Sequence, residues 1–446
     1  MLLVAVGVVV LAVGVSSPAS AHRGDQSYLY LDVTPSSLTG RVEVPVRDLN
    51  QALGLELGGS RDEMLTRLSA DVDVVKSYLQ AHLEVGVNGT PWPIVLGKGS
   101  LFFSDVAEAD DNYVVFPFSV ETEGSVPRQL EVRFDPFFDE IDGRDALLLI
   151  GNDWEAGVID NGSTALATFD AGTRRQSIDL GETDRFKTFT ESAKLGVNHI
   201  RTGPDHILFV LVLLLPSVLV FTTRWEPAAS FSASLWRVLK IVTTFTVAHS
   251  ITFTAAGLEM LPLPPSRVLE SVIAGSIAVA ALHNLRPVAA NKEWLIAFVF
   301  GLFHGMGFAS LVSGLDVDRG TQLLSLLGRN AGIEIGQAAV VLFVFPSLFL
   351  MRRTRYFPPL FWAVSLLMVA VSVVWMFERL YDIDVGITAL VEPVVAWPGG
   401  LFYVIPFTLA AAGLQYLEAF NHRLQPVDQC SGPLVGVDTD EHDSLV

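Results

Sequence analysis

The pattern of apolar and polar residues changes near residue 190. Before that point, apolar residues alternate with polar ones in short runs bounded by Pro, Ser and Gly, such as SYLYLDV, LTGRVEVPV and NYVVFPFSVE. Alternation with a period of two is typical of half-buried strands. Asn88-Gly89, between two apolar runs, predicts a tight hairpin. We therefore predict a mainly β domain over residues 22–190, resembling a β-sandwich.

One segment of this domain departs from the alternating pattern. From Arg61 to His82 the apolar residues recur at helical spacing, with acidic residues near the start. They are Met64, Leu68, Val72, Val75 and Leu79. This spacing predicts one helical insertion in the β domain. An acidic cluster near residue 140 either binds calcium or is a solvated loop, and the sequence leaves both alternatives open.

Long apolar stretches dominate the rest of the chain and predict an α-helical, polytopic membrane domain with six or seven transmembrane helices. Six spans are expected near residues 204–222, 238–258, 268–286, 294–314, 330–350 and 359–377, and a weaker seventh near 400–419. Residues 195–380 then form the six-helix membrane domain and 381–420 an outer loop with the seventh helix. Residues 421–446 form an acidic cytoplasmic tail.

The N-terminus and the basic residues predict the orientation. Residues 2–15 are almost all apolar and precede Ala19-Ser20-Ala21, which predicts a signal peptide over residues 1–21; an uncleaved anchor is the alternative. Cleavage makes His22 the mature N-terminus. Lys and Arg are concentrated in the loops on one side of the spans, which the positive-inside rule assigns to the cytoplasm. We expect a multi-pass protein of a bacterial plasma membrane with its β domain outside the cytoplasm.

The net charge and the cysteine content limit the classes of ligand and partner that the protein can bind. The net charge of −19 argues against nucleic acid. Cys430 is the only cysteine, so an intrachain disulfide and a cysteine-based zinc site are both excluded. The expected partners are therefore the lipid bilayer and a metal ion. The sequence does not predict the oligomeric state.

Ionisable residues at membrane depth are costly and indicate function. His199 precedes the first span, and Asp205 and His206 lie in the first turn of a helix that Pro204 begins. We expect these three residues at the outer surface, with Glu334 somewhat deeper. From the rise per residue, His249 and His304 should lie near the midplane. His283, near the cytoplasmic end, is open to either a packing role or a functional one.

This set of side chains suits a divalent transition metal. Imidazole is a preferred ligand of nickel, cobalt, zinc and copper, and a carboxylate offsets the charge of the ion. The predicted metal ligands are His199, Asp205, His206, His249, His304 and Glu334. Gly301-x-x-x-Gly305 and Gly332-x-x-x-Gly336 are spacings that let membrane helices approach closely.

Five stretches resemble one family of bacterial membrane proteins. They are HIRTGPDHILFVLVLLLP, FTVAHSIT, FGLFHGMGFAS, NAGIEIGQ and SVVWMFERL, and they resemble the HupE/UreJ family. The His, five residues and Asp-His of the first stretch are similar to the signature of nickel and cobalt permeases. The resemblance implies a permease-like protein with Ni²⁺ or Co²⁺ as substrate and partners in hydrogenase or urease maturation. The N-terminal part is similar to the extracytoplasmic domain of longer members.

Three functions fit these observations. The first is a permease that captures the ion at His199, Asp205 and His206 and passes it inward through Glu334, His249 and His304. The second is an intramembrane hydrolase in which histidines hold Zn²⁺ and Glu334 is the general base. The third is a metal-binding accessory or assembly protein that does not transport. No ATP-binding motif G-x-x-x-x-G-K-[ST] is present, so uphill transport would require an ion gradient or another subunit.

Overall fold

A computed structural model describes residues 26–103, 112–122, 124–159, 161, 164–288, 292–307, 317–395 and 399–424. The predicted signal peptide, His22 and nearly all of the acidic tail, including Cys430, lie outside these residues. The remaining expectations fall at least partly within the described ranges.

Thirteen strands occur in the described residues. They are β1 (Gln26–Val33), β2 (Leu38–Pro45), β3 (Leu83–Val87), β4 (Thr90–Pro91), β5 (Ile94–Leu96), β6 (Ser100–Phe103), β7 (Asn112–Val120), β8 (Gln129–Phe134), β9 (Asp145–Asp153), β10 (Ala165–Phe169), β11 (Arg175–Asp179), β12 (Leu219–Phe221) and β13 (Trp225–Pro227).

Twelve helices occur in the same residues. They are α1 (Val46–Leu53), α2 (Arg61–Ala70), α3 (Val72–His82), α4 (Arg185–Thr202), α5 (Pro204–Ser217), α6 (Phe231–Gly257), α7 (Ser266–Leu285), α8 (Glu293–Gly307), α9 (Arg319–Met351), α10 (Phe357–Tyr381), α11 (Ile387–Val395) and α12 (Gly399–Leu424).

The chain divides into two compact units whose boundaries cut through helices. The first unit comprises residues 1–199, 246–266 and 301–336, and the second comprises 200–245, 267–300 and 337–446. The first therefore contains the β strands up to β11 together with parts of α4, α6, α8 and α9. The second contains the other parts of those helices and the remaining elements.

The β part of the first unit consists of two sheets around one core. The larger sheet has the strand order β10-β9-β1-β2-β7-β5, with β6 also paired to β7, and the smaller has the order β11-β8-β3-β4. Buried residues of both sheets, among them Leu29, Phe116, Val85 and Val132, belong to one apolar cluster. The predicted β-rich, sandwich-like domain is confirmed. Strands β1 and β9 pair in parallel, which alternation alone does not reveal.

The helical content of this domain exceeds the prediction. The expected helix from Arg61 to His82 is present as α2 and α3, separated at Asp71. Leu68 and Leu79 turn inward and join the core between the sheets. The additional helix α1 follows β2 directly. The hairpin at Asn88-Gly89 is confirmed, because both residues have positive φ and join β3 to β4.

Helix α4 connects the β domain to the helical part. The Thr188 hydroxyl near its start donates to the Trp154 carbonyl at 2.8 Å, which fastens the helix to the loop after β9. A bend of 71° separates α4 from α5 at Gly203. The polar approach to the first span, which was not predicted to be regular, is therefore a helix of its own.

Four helices of the described residues are long and apolar enough to cross a membrane: α6, α7, α9 and α10. The bent pair α4 and α5 would make a fifth, and α8 and residues 403–417 are shorter apolar helices. Each predicted span thus corresponds to a helix, although several bounds differ. Helix α9 begins at Arg319, well before residue 330, and α5 ends at Ser217, where the hairpin β12–β13 follows.

The second unit packs mainly through apolar side chains. One cluster joins Phe209 of α5 and Phe245 of α6 to Ile277 of α7 and Trp375 of α10. A buried amide adds a polar contact, because Asn284 of α7 donates to the Val212 carbonyl at 2.9 Å. Helix α5 therefore lies among other helices along most of its length.

Candidate metal centre

The first part of the candidate centre is the start of α5. Gly203 is the N-cap and Pro204 opens the first turn, as expected from the sequence. The next two residues form a pair, in which Nδ1 of His206 lies 3.1 Å from Oδ1 of Asp205. The His206 side chain is fully buried and its ring meets the ring of Phe245 edge-on. Helices enclose this histidine, and its expected depth at the outer surface of the membrane stays a prediction.

The contact with Asp205 determines which nitrogen of His206 suits a metal. A carboxylate oxygen only accepts hydrogen bonds, so Nδ1 carries the hydrogen and Nε2 has the lone pair in the neutral ring. Histidine ligands of metals are commonly oriented by a carboxylate in this way. Ligand atoms of Asp205 and His206 also lie within 4.8 Å of each other, so the two residues can serve one ion.

His249, on α6, is oriented by a neutral partner. Its Nδ1 lies 3.1 Å from Oδ1 of Asn330 on α9. The amide nitrogen of Asn330 donates to the Leu326 carbonyl at 3.0 Å, which turns the amide oxygen toward the histidine. His249 therefore donates through Nδ1 and has its lone pair on Nε2, as His206 does. Asn330 precedes Glu334 by four residues on α9, and the sequence analysis did not identify it as the partner of His249.

His304 lies where α8 crosses α6. A Cβ atom added at the neighbouring Gly305 would lie 2.3 Å from the carbonyl oxygen of His249 and 2.2 Å from the hydroxyl of Thr252. The backbones of the two helices are therefore in contact at Gly305, as its predicted small-residue spacing suggested. The His304 side chain is fully buried.

His199 and Glu334 lie on α4 and α9, which pack through glycines. A Cβ at Gly196 would lie 2.1 Å from the Arg329 carbonyl oxygen, and one at Gly332 would lie 1.9 Å from that of Ala193. His199 lies one turn beyond Gly196, and Glu334 follows Gly332 by two residues. Both are only partly buried. The first unit therefore contains four of the six predicted ligands, and the second contains the pair Asp205 and His206.

His283 differs from these histidines in its hydrogen bonding. The backbone N–H of Val288 donates to its Nδ1 at 3.3 Å. Nδ1 therefore carries the lone pair that accepts this bond, and Nε2 carries the hydrogen in the neutral ring. A neutral imidazole in this form does not present Nε2 to a metal. The structure thus favours the packing role that the sequence left open for His283.

Ser250 is also unsuited to catalysis in this structure. Its position beside His249 suggests a serine nucleophile, but its hydroxyl donates to the Thr246 carbonyl one turn earlier, at 2.7 Å. Adjacent helix residues also point about 100° apart. The hydroxyl thus satisfies its own helix rather than pairing with the neighbouring ring.

The long apolar helices indicate the class of this protein, an α-helical, multi-pass membrane protein, and His206, His249 and His304 are buried within it. The family model described as HupE / UreJ protein matches residues 175–379, just under half of the chain. This part of the chain, which contains all six predicted ligands, is similar to the HupE/UreJ family. Comparison with curated proteins and with solved structures found no match.

Proposed function

We propose that the protein is a permease for a divalent transition metal, with Ni²⁺ or Co²⁺ as the transported ion. The observation that carries this proposal is the hydrogen bonding of His206 and His249. Each ring is buried and has an oxygen acceptor at Nδ1, so each offers Nε2 as the ligand nitrogen. Two separate helices repeat this arrangement, which simple packing of histidines does not require.

The proposed path begins at Asp205 and His206, with His199 beside the entry. Asp205 supplies negative charge, which a dication requires where few waters solvate it. Glu334, His249 and His304 then pass the ion inward. A path of several sites with moderate affinity allows the ion to leave each site, whereas a single site with high affinity would retain the ion.

The match to the HupE/UreJ family model supports the same class of function. The HupE/UreJ family is consistent with a metal transport or accessory role and is not a known enzyme family. The proposal selects transport because the candidate ligands occur on several apolar helices. A structural zinc or a hydrolytic zinc would require its ligands to converge on one ion at about 2.0–2.3 Å.

The proposal also includes an orientation, with the β domain outside the cytoplasm of a bacterial plasma membrane. The test begins by replacing Cys430 with Ser, so that the chain lacks its own thiol. A cysteine is then introduced at Ser100, on strand β6, or at Arg353, in the basic loop after α9; both positions are exposed. An impermeant maleimide should label the first in cells with a permeabilised outer barrier and spare the second. The reverse pattern would overturn the orientation.

The decisive experiment for transport replaces Glu334 with Gln. The amide keeps an oxygen ligand but removes the charge that offsets the ion. In proteoliposomes under an imposed ion or pH gradient, Ni²⁺ or Co²⁺ uptake should fall at least tenfold. Binding at Asp205 and His206, measured by equilibrium dialysis, should be retained.

Glu270→Gln is the matched control. Glu270 lies on membrane helix α7, which carries none of the proposed ligands, and forms an ion pair with Arg379 at 3.0 Å. This variant should transport normally. Undiminished flux in Glu334→Gln, or no metal flux in the wild type, would refute the permease. If Glu334→Gln binds zinc tightly and has lost peptide or lipid hydrolysis, the protein is the hydrolase instead.

A further inference from the structure

An open cleft lies between the N-terminal half of α6 and the start of α8, within the second unit. Its volume is about 730 Å³, which falls in the range of ligand pockets in proteins. Polar and aromatic residues are part of its lining: Trp236, Arg237, Lys240, Glu293 and Trp294. None of these residues belongs to the proposed metal path.

The charges in this cleft favour an anion. Arg237 and Lys240 lie one turn apart on α6 and outnumber the one carboxylate, Glu293, so the lining is positive overall. The Arg237 guanidinium is held in place, because it donates to the Leu219 carbonyl at 3.2 Å. Lys240 is exposed and can turn toward a ligand. The hydroxyls of Thr243 and Thr244 also line the cleft.

The aromatic and apolar residues indicate that the ligand has a hydrophobic part. Trp236 and Trp294 are 64% and 51% exposed. Tryptophan is enriched where membrane helices meet the lipid headgroups. Leu239 and Ile241 supply apolar wall beside the charged groups. The cleft thus presents cations and interfacial rings side by side.

We propose that this cleft binds an anionic phospholipid, with the phosphate near Arg237 and Lys240 and the acyl chains along the outside of α6 and α8. Basic pockets between membrane helices bind lipid headgroups through this combination of charge and apolar surface. The positive-inside orientation assigns the lipid to the cytoplasmic leaflet. The inference does not depend on metal transport.

The test uses the full-length protein in a neutral detergent. Native mass spectrometry measures the binding of phosphatidylglycerol, of phosphatidylcholine with the same acyl chains, and of soluble glycerol phosphate. Phosphatidylglycerol should bind at least fivefold more tightly than phosphatidylcholine, and glycerol phosphate should not bind measurably. Lys240→Ala should weaken phosphatidylglycerol binding about fivefold and leave phosphatidylcholine unchanged.

Arg353→Ala is the control, because it removes one exposed positive charge on the same predicted side of the membrane but outside the cleft. It should leave the binding of both lipids unchanged. Equal affinity for the two lipids, or equal losses in the Lys240 and Arg353 variants, would overturn the proposal. Binding of glycerol phosphate as tightly as phosphatidylglycerol would assign the cleft to a soluble phosphate and would also overturn it.

Discussion

Replacing Gly332 with Ala tests the contact that positions two of the predicted ligands. Helices α4 and α9 meet there through their backbones, and an added Cβ would lie 1.9 Å from the Ala193 carbonyl oxygen. Real Cβ atoms essentially never approach another atom closer than 3.0 Å, so the helices would have to separate by about 1 Å. The neighbouring atom belongs to the backbone and cannot rotate away as a side chain would.

The magnitude follows from this geometry. Overpacking a well-packed site costs typically about 1–3 kcal/mol, and a clash with backbone belongs at the upper end of that range. A decrease of about 3 kcal/mol in the free energy of unfolding lowers the melting temperature of a domain of about 150–250 residues by about 6–12 °C. Metal uptake should fall as well, because Glu334 follows Gly332 by two residues and His199 lies on the displaced helix.

Gly413→Ala is the control for this variant. Gly413 also lies inside a helix, α12, but a Cβ added there meets no atom within 4 Å. Alanine should be neutral or stabilising there, by up to about 1 kcal/mol, because it favours helix more than glycine does. Thermal unfolding of both variants in the same detergent compares them directly. If Gly332→Ala has the same melting temperature as the wild type, the close contact between α4 and α9 is not present in solution.

Three further predictions follow from individual side chains. His206→Ala should weaken Ni²⁺ or Co²⁺ binding in equilibrium dialysis more than His283→Ala does; equal losses would contradict the ranking. Asn330→Leu should weaken binding about 10–100-fold, since orienting partners of metal ligands have effects of that size. It should also lower the melting temperature, because it removes the acceptor of the buried Nδ1–H of His249; unchanged affinity would show that Asn330 does not orient His249. Burial raises the pKa of the Asp135 carboxyl, but hydrogen bonds from His82 and Arg133 outweigh burial and lower its pKa overall. The hydrogen bonds to the ionised carboxylate stabilise the fold. This stabilisation is complete above the unfolded pKa of about 3.9 and is lost as the pH falls through the lower pKa of the folded state. Asp135→Asn should therefore lower the free energy of unfolding by about 2 kcal/mol at pH 7. In thermal unfolding, the variant should lose less stability than the wild type as the pH falls. The same dependence of melting temperature on pH in both proteins would exclude this role.

Local features of the fold could be predicted because they depend on neighbouring residues. The turn at Asn88-Gly89 requires two residues that tolerate positive φ, and these two do. Pro204 marks the start of α5 because its missing N–H has no helical partner at that position. The parallel pairing of β1 with β9 could not be predicted in the same way, because it joins Gln26 to Asp145 across a long stretch of chain.

The membrane helices were located by their apolar composition, and their bounds were less predictable for a physical reason. Hydropathy identifies the apolar segment of a helix and does not detect polar turns that extend it. The first turns of α9 are polar and include Arg319 and Gln322. Gln322 donates to the Gly257 carbonyl at the end of α6, at 2.8 Å. These turns are helical because of such contacts, which no hydropathy window detects.

The candidate ligands were predicted from residue type, while their chemical state was not. A sequence gives the number of imidazoles but not which nitrogen carries the hydrogen, because that depends on partners from other helices. Asn330 fixes the tautomer of His249 from α9, and Asp205 fixes that of His206 from its own turn. His283 accepts a backbone N–H at the equivalent nitrogen and has the opposite form. The partner of Nδ1 therefore distinguishes His206 and His249, as potential ligands, from His283. In this protein the distinction agrees with position, since His283 lies at the predicted cytoplasmic end, beyond the residues proposed to carry the ion.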